Sequence, residues 1–142
     1  NNIQTIEYEM IDVGIDVEGY KKRNLLHILP APNVMNHPKG PVDGFFDIMA
    51  NDILAGLSPP FRIVARLVPE IRTQMQIEAN TNIERKLHSQ FHDFPGGLFL
   101  CPYRVDNIEP ETHGKWLFDI FCSHDAAFFA PKSGRGIAFN IR

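Results

Sequence analysis

Apolar and polar positions alternate in several stretches of this chain, and the alternation predicts strands. Ile6, Tyr8 and Met10 alternate with Glu7 and Glu9, and Val13, Ile15 and Val17 alternate with Asp12, Gly14 and Asp16. The inward parity switches from even to odd at Met10 and Ile11. A period-two strand accommodates that switch with one extra residue, a β-bulge. Residues 23–29 form a second, shorter strand candidate. Residues 61–79 hold two further period-two runs meeting at Pro69 and Glu70, which predicts a hairpin; its rival is a helix with Pro69 at the first position.

Two segments follow a helical period instead. Asp43 is placed to cap a helix over residues 44–57, where Phe45, Phe46, Met49, Ile53 and Leu57 fall near helical spacing. Thr81-Asn82-Ile83-Glu84 fits a capping box, and Ile83, Leu87, Phe91 and Phe94 continue from it as an apolar stripe that Pro95, Gly96 and Gly97 stop.

The last third is aromatic: ten of the Phe, Tyr and Trp residues lie between Phe91 and Phe139. They occupy short runs over residues 98–105, 116–123, 126–130 and 136–142, separated by turn residues, which reads as a block of strands. Parity assigns Phe99, Cys101, Tyr103, Trp116, Phe118, Ile120 and Cys122 to one inward face. The expected fold is α+β in one domain over residues 1–142. It has a mostly antiparallel sheet, or two packed sheets, with two helices on one side, because short connections between consecutive strands favour antiparallel pairing.

Composition narrows the function classes. At 142 residues, 44% hydrophobic and 22% charged, the chain resembles an ordinary globular domain. No apolar run approaches the ~20 residues that cross a bilayer. A net charge of −3 gives no basic footprint for nucleic acid. Two cysteines suit an intracellular, cytoplasmic chain with packed thiols at least as well as a single bridge. Cys101 and Cys122, if their strands pair, are packing neighbours, and a core-facing Cys122 makes the Cys122-Ser123-His124-Asp125 cluster a poor nucleophilic site.

The remaining chemistry is sparse. Glu84, His88 and His92 lie at i, i+4 and i+8 on the second helix, a line that could hold a metal with His124, Asp125 or Asp93 completing the set. Without a His-Glu-x-x-His or Cys-x-x-Cys motif, a solvated polar flank is the simpler reading, and no cofactor and no catalytic residue is assigned. Residues 132–136 form a glycine-bearing basic turn without phosphate-loop spacing.

Three functions remain. The first is a non-catalytic binding or assembly module, comparable by architecture alone to a small viral matrix or accessory protein. It would act through an exposed strand edge and the proline-rich loop over residues 30–41, toward a protein partner or a second copy of itself. Its contact residues would be Pro30, Pro32, Asn33, Val34, Met35 and His37 of the loop, Asp12 and Asp16 of the acidic first strand, and Arg62 and Arg66. The two arginines, interleaved with Val64 and Val68, also suit a peripheral contact with acidic lipid. The second is a small hydrolase, metal-dependent through Glu84, His88 and His92. The third is a small-ligand binder with a pocket of Phe91, Phe94, Phe99, Trp116 and Phe118.

Overall fold

The amino-terminal run is helical, not a bulged strand. The computed structural model describes residues 2–66, 68, 71–91, 97–103, 109–131 and 135–141, and the chain divides into two compact units, Asn1–Pro32 and Asn33–Arg142. The first unit holds α1 (Ile3–Asp12) and α2 (Val17–Lys22). Ile3, Ile6 and Met10 step by three and four. The parity change at Met10 and Ile11 is a helical stripe read in twos. The Asn2 side chain caps α1 by accepting the Gln4 N–H at 3.2 Å. Gly14, at φ 89°, closes the helix and donates to the Ile11 carbonyl at 2.9 Å. Asp16 caps α2 by accepting the Gly19 N–H at 2.9 Å, and Glu18 in its first turn and Lys21 and Lys22 in its last match the helix dipole. Lys21 pairs with Glu7 at 2.8 Å and ties the two helices. Residues 25–33, which include most of the second strand candidate, carry no regular structure.

In the second unit a 3₁₀ turn (Val34–Asn36) leads into α3 (Pro41–Ile48), which runs on as a π-helical turn (Met49–Ile53). The helix expected here is present, but its cap is Gly40 at φ 80° with Pro41 in the first turn, and Asp43 lies inside the helix. Asp43 pairs with Lys86 of α4 (Gln74–Phe91) at 2.8 Å. Val34, Phe45, Met49, Val68, Ile83 and Leu87 form the buried core, with Met35, Phe46, Ile63, Phe99 and Cys101 packed around it.

Gly44 of α3 lies against His37: a Cβ at position 44 would sit 2.4 Å from His37 Cγ and 2.5 Å from its Cβ. Neither atom is the free end of a flexible side chain. Gly44→Ala is therefore expected to destabilise the chain by about 1–3 kcal/mol, the usual cost of overpacking, as read by denaturant unfolding. An unchanged midpoint would mean that this approach is looser than described.

The expected hairpin over residues 61–79 is not formed. β1 (Arg62–Val64) is a strand, but residues 74–79 belong to α4; Pro69 and Glu70, where the two runs meet, lie outside the described residues. The box that starts α4 is Thr73 with Gln76: Gln76 Oε1 accepts the Thr73 N–H at 3.0 Å while Thr73 Oγ1 accepts the Gln76 N–H at 3.3 Å. Thr81 is one of its interior residues, donating to the Ile77 carbonyl at 2.9 Å. α4 is the crossover that brings β2 (Leu98–Leu100) parallel to β1, with Ile63 opposite Phe99.

The expected strand over 116–123 is also a helix, α5 (Pro110–Cys122). Trp116, Ile120 and Ser123 repeat at i, i+4 and i+7 and are its buried residues, whereas Phe118 is 66% exposed and Cys122 is exposed. The expected inward face is therefore split, and Cys122 does not pair across a strand from Cys101. The last two strands stand where the pattern put them: β3 (Ala126–Phe129) and β4 (Ile137–Asn140) form an antiparallel hairpin with Ala127 opposite Phe139. The fold is mixed α+β. Its sheets are one parallel and one antiparallel pair, not a mostly antiparallel sheet, and among the described residues it has five α-helices where two were expected. No helix among those residues is long and apolar enough to cross a membrane.

Candidate metal centre

Three segments converge on Glu84. It projects from the middle of α4, between the core residues Ile83 and Leu87, and is only 2% exposed. The chain leaving β2 brings Cys101 and Tyr103, and the turn ending α5 brings His124. The Tyr103 hydroxyl donates to Glu84 Oε1 in a short contact. Cys101 Sγ lies 3.7 Å and His124 Nε2 3.6 Å from the other oxygen, Oε2. The thiol contact is of ordinary length for a sulfur hydrogen bond, and the imidazole separation is within ion-pair range. All three ligand atoms, from Glu84, Cys101 and His124, lie within 4.8 Å of one another. Zinc-to-ligand bonds of 2.0–2.3 Å in a tetrahedron require ligand–ligand edges of roughly 3.3–3.7 Å, which the two measured separations match.

A second layer fixes these groups. His124 Nδ1 lies 2.8 Å from the Ile120 carbonyl oxygen, which can only accept, so Nδ1 carries a proton and Nε2 is the atom turned toward Glu84. Asn80, one turn before Glu84, donates to the Tyr103 hydroxyl at 3.2 Å and accepts the Trp116 indole N–H at 3.0 Å. Tyr103 and Trp116 meet edge to face, 5.6 Å between ring centroids.

Burial raises the Glu84 carboxyl above its ordinary range, against the opposing Tyr103 hydrogen bond, the His124 charge and the Cys101 contact. Burial, and then the nearby Glu84 charge, push the Cys101 thiol and the Tyr103 phenol far up. A thiol so raised is inert as a nucleophile. A bound divalent ion reverses that balance, since it takes thiolate, carboxylate and neutral imidazole as ligands.

The cluster borders a cavity of about 460 Å³, which His88, Ser123, Asp125 and the apolar side chains of Leu87, Phe99 and Phe128 also line. Tyr103→Phe deletes the donor to Glu84 Oε1. It is expected to weaken zinc affinity by roughly 10–100-fold, the usual effect of losing an outer-layer partner, in a competition titration against a chromophoric chelator.

Of the expected metal residues, Glu84 is central and His88 lies one helical turn on, lining the same cavity. His92 and Asp93 lie outside the described residues, as do 132–134 of the basic turn. Of the further candidates, His124 lies 3.6 Å from Glu84 and Asp125 borders the cavity. Cys101 was missed, because parity made it a packing residue. The signal that could have found the site is Glu84 itself, a carboxylate inside an apolar helical stripe.

The expected partner residues are scattered. Pro30 and Asn33 are exposed and Pro32 is half-buried. Val34 belongs to the core, Met35 packs on it, and His37 is half-buried beside Asp47 at 3.8 Å. Asp12, Asp16, Arg62 and Arg66 are exposed. The aromatic pocket is not assembled as expected: Trp116 is buried while Phe118, two residues along α5, faces solvent. Phe94 lies outside the described residues.

No protein-family model matches this chain, and neither does any curated protein or solved structure with which it was compared.

Proposed function

We propose that this chain is a metal-dependent hydrolase in which Glu84, Cys101 and His124 hold a zinc-class ion. The observation that carries the reading is the meeting of carboxylate, thiol and imidazole at 3.6 and 3.7 Å, separations close to the ligand–ligand edges of a zinc tetrahedron. The mixture of sulfur, nitrogen and oxygen donors suits zinc better than magnesium or calcium. Three protein ligands beside a cavity leave a fourth position for water, the catalytic pattern, whereas structural sites close with four.

A bound ion of this class supplies a water acidified toward neutral pH. The surrounding residues divide the remaining work. Tyr103 holds the carboxylate and the Ile120 carbonyl holds the imidazole. In this reading His88, which lines the same cavity, takes the proton as water adds to a substrate carbonyl carbon and returns it to the leaving group as the acyl bond breaks.

The test is zinc content by elemental analysis, with hydrolysis of a panel of activated esters and fluorogenic peptides, before and after chelation. Cys101→Ser and His124→Ala are expected to lose zinc and activity together, and His88→Ala to keep zinc and lose activity. A chain that binds no zinc ends this reading. Zinc lost with His88→Ala plus His92→Ala, but kept in Cys101→Ser, transfers the site to the helical line.

Assembly without catalysis is the second reading, favoured by the exposed Phe128, Phe129, Ile137 and Phe139 of the hairpin. Metal-free protein that self-associates in sedimentation would favour it.

A further inference from the structure

β3 follows His124 directly, with one residue between, and its pairing leaves alternate backbone groups pointing outward. The Ile141 N–H bonds the Asp125 carbonyl at 2.8 Å. In an antiparallel ladder this makes Asp125 a bonded position, and with the observed register it makes Ala127 opposite Phe139 and Phe129 opposite Ile137 bonded pairs too. The N–H and C=O groups of Ala126 and Phe128 therefore face away from β4. No backbone partner for them occurs among the described residues.

That edge meets the cavity beside the proposed metal centre. Ala126, Ala127 and Phe128 all line it, and consecutive residues of both parities do so only where the cavity meets the strand backbone. Outside the proposed metal set, Asp125 is the acidic residue of the lining, and no Lys or Arg contributes. Asp125 is exposed, and none of the ion pairs among the described residues involves it. His124 precedes β3 by two residues, so the edge begins beside the proposed metal centre.

We propose that the site takes an extended polypeptide segment, apolar in alternate side chains and carrying a basic residue or free amino end, added as a strand to the outer edge of β3. Main-chain bonds to Ala126 and Phe128 supply affinity, and the apolar wall and Asp125 supply selection. As a substrate assignment this rests on the metal-hydrolase reading; as a binding mode it does not.

The probe is a heptapeptide alternating valine and threonine, with lysine at its free amino end and fluorescein at the other, followed by anisotropy on the whole chain with and without zinc. The expected result is saturable binding, weakened about tenfold or more by Ala126→Pro, which removes the outward N–H and no ladder bond. Because that variant could misfold, the same peptide methylated on alternate amide nitrogens is titrated against the unaltered chain, and one of the two methylation registers is expected to lose binding by a similar factor. Asp125→Asn is expected to weaken binding at low salt and to have little effect at high salt. Equal binding of both methylated peptides and the parent overturns the edge, as does the absence of binding at millimolar peptide by a zinc-loaded chain. Sedimentation showing a dimer that Ala126→Pro dissolves assigns the edge to a second copy and overturns the peptide. Peptide binding by a chain that holds no zinc sustains the edge and removes only the hydrolase.

Discussion

Zinc added to the chelator-treated chain is expected to raise its thermal unfolding midpoint by about 10 °C at saturating metal. A ligand that binds only the folded state contributes roughly 4 kcal/mol at a thousandfold excess over its dissociation constant, and a chain of this length gains a few degrees per kcal/mol. The three donors come from α4, from the chain after β2 and from the turn after α5, so the unfolded chain cannot present them together. The carboxyl and the thiol must give up their protons to the ion, and burial has raised both. Metal must therefore displace protons, and its stabilisation should fade steeply as pH falls. Cys101→Ser and His124→Ala should abolish the zinc-dependent rise while keeping a cooperative transition in its absence. A midpoint indifferent to zinc at pH 8, in protein with reduced thiols, would remove the metal centre.

What could be read in the sequence depended on which period a segment obeys beyond five or six residues. The hairpin after Asp125 was legible because two short aromatic-bearing runs flank a glycine-bearing stretch, and the structure keeps both strands. The runs at Ile6 to Met10 and Trp116 to Cys122 were misread, because five to seven residues satisfy both periods. The longer repeats, Ile3–Ile6–Met10 and Trp116–Ile120–Ser123, decide for helix. The start of α4 was misplaced by seven residues or more because two Thr-x-x-Glu/Gln boxes compete, and the chain uses the earlier one, at Thr73 and Gln76. The site was half legible. Glu84 and His124 carry metal-binding chemistry wherever they fall, but Cys101 acquires its role from the parallel pairing of β2 with β1, a long-range contact that no local spacing encodes.

Glu84→Gln is expected to act oppositely on stability with and without zinc. In the metal-free chain burial raises the Glu84 carboxyl above its ordinary value of 4.5, so the folded state holds that proton more tightly than the unfolded state does. Its contribution is fully present below the unfolded value and is lost as pH rises through the raised folded value, leaving wild type at its weakest, from this group, at neutral pH and above. Glutamine carries no charge to bury. Its carbonyl can accept the Tyr103 hydroxyl in place of the carboxylate oxygen. The metal-free variant should therefore match or exceed wild type at pH 8, with a flatter stability profile between pH 4.5 and neutrality. With zinc the order reverses, since the amide is a poor ligand and the variant forgoes the metal's contribution. Chemical denaturation at pH 5 and pH 8, each with and without zinc, reads all four states. A variant that is less stable at pH 8 without metal would show that the folded site favours the charged carboxylate itself, paired with a protonated His124, and the cluster would then be a buried ion pair and not a metal site.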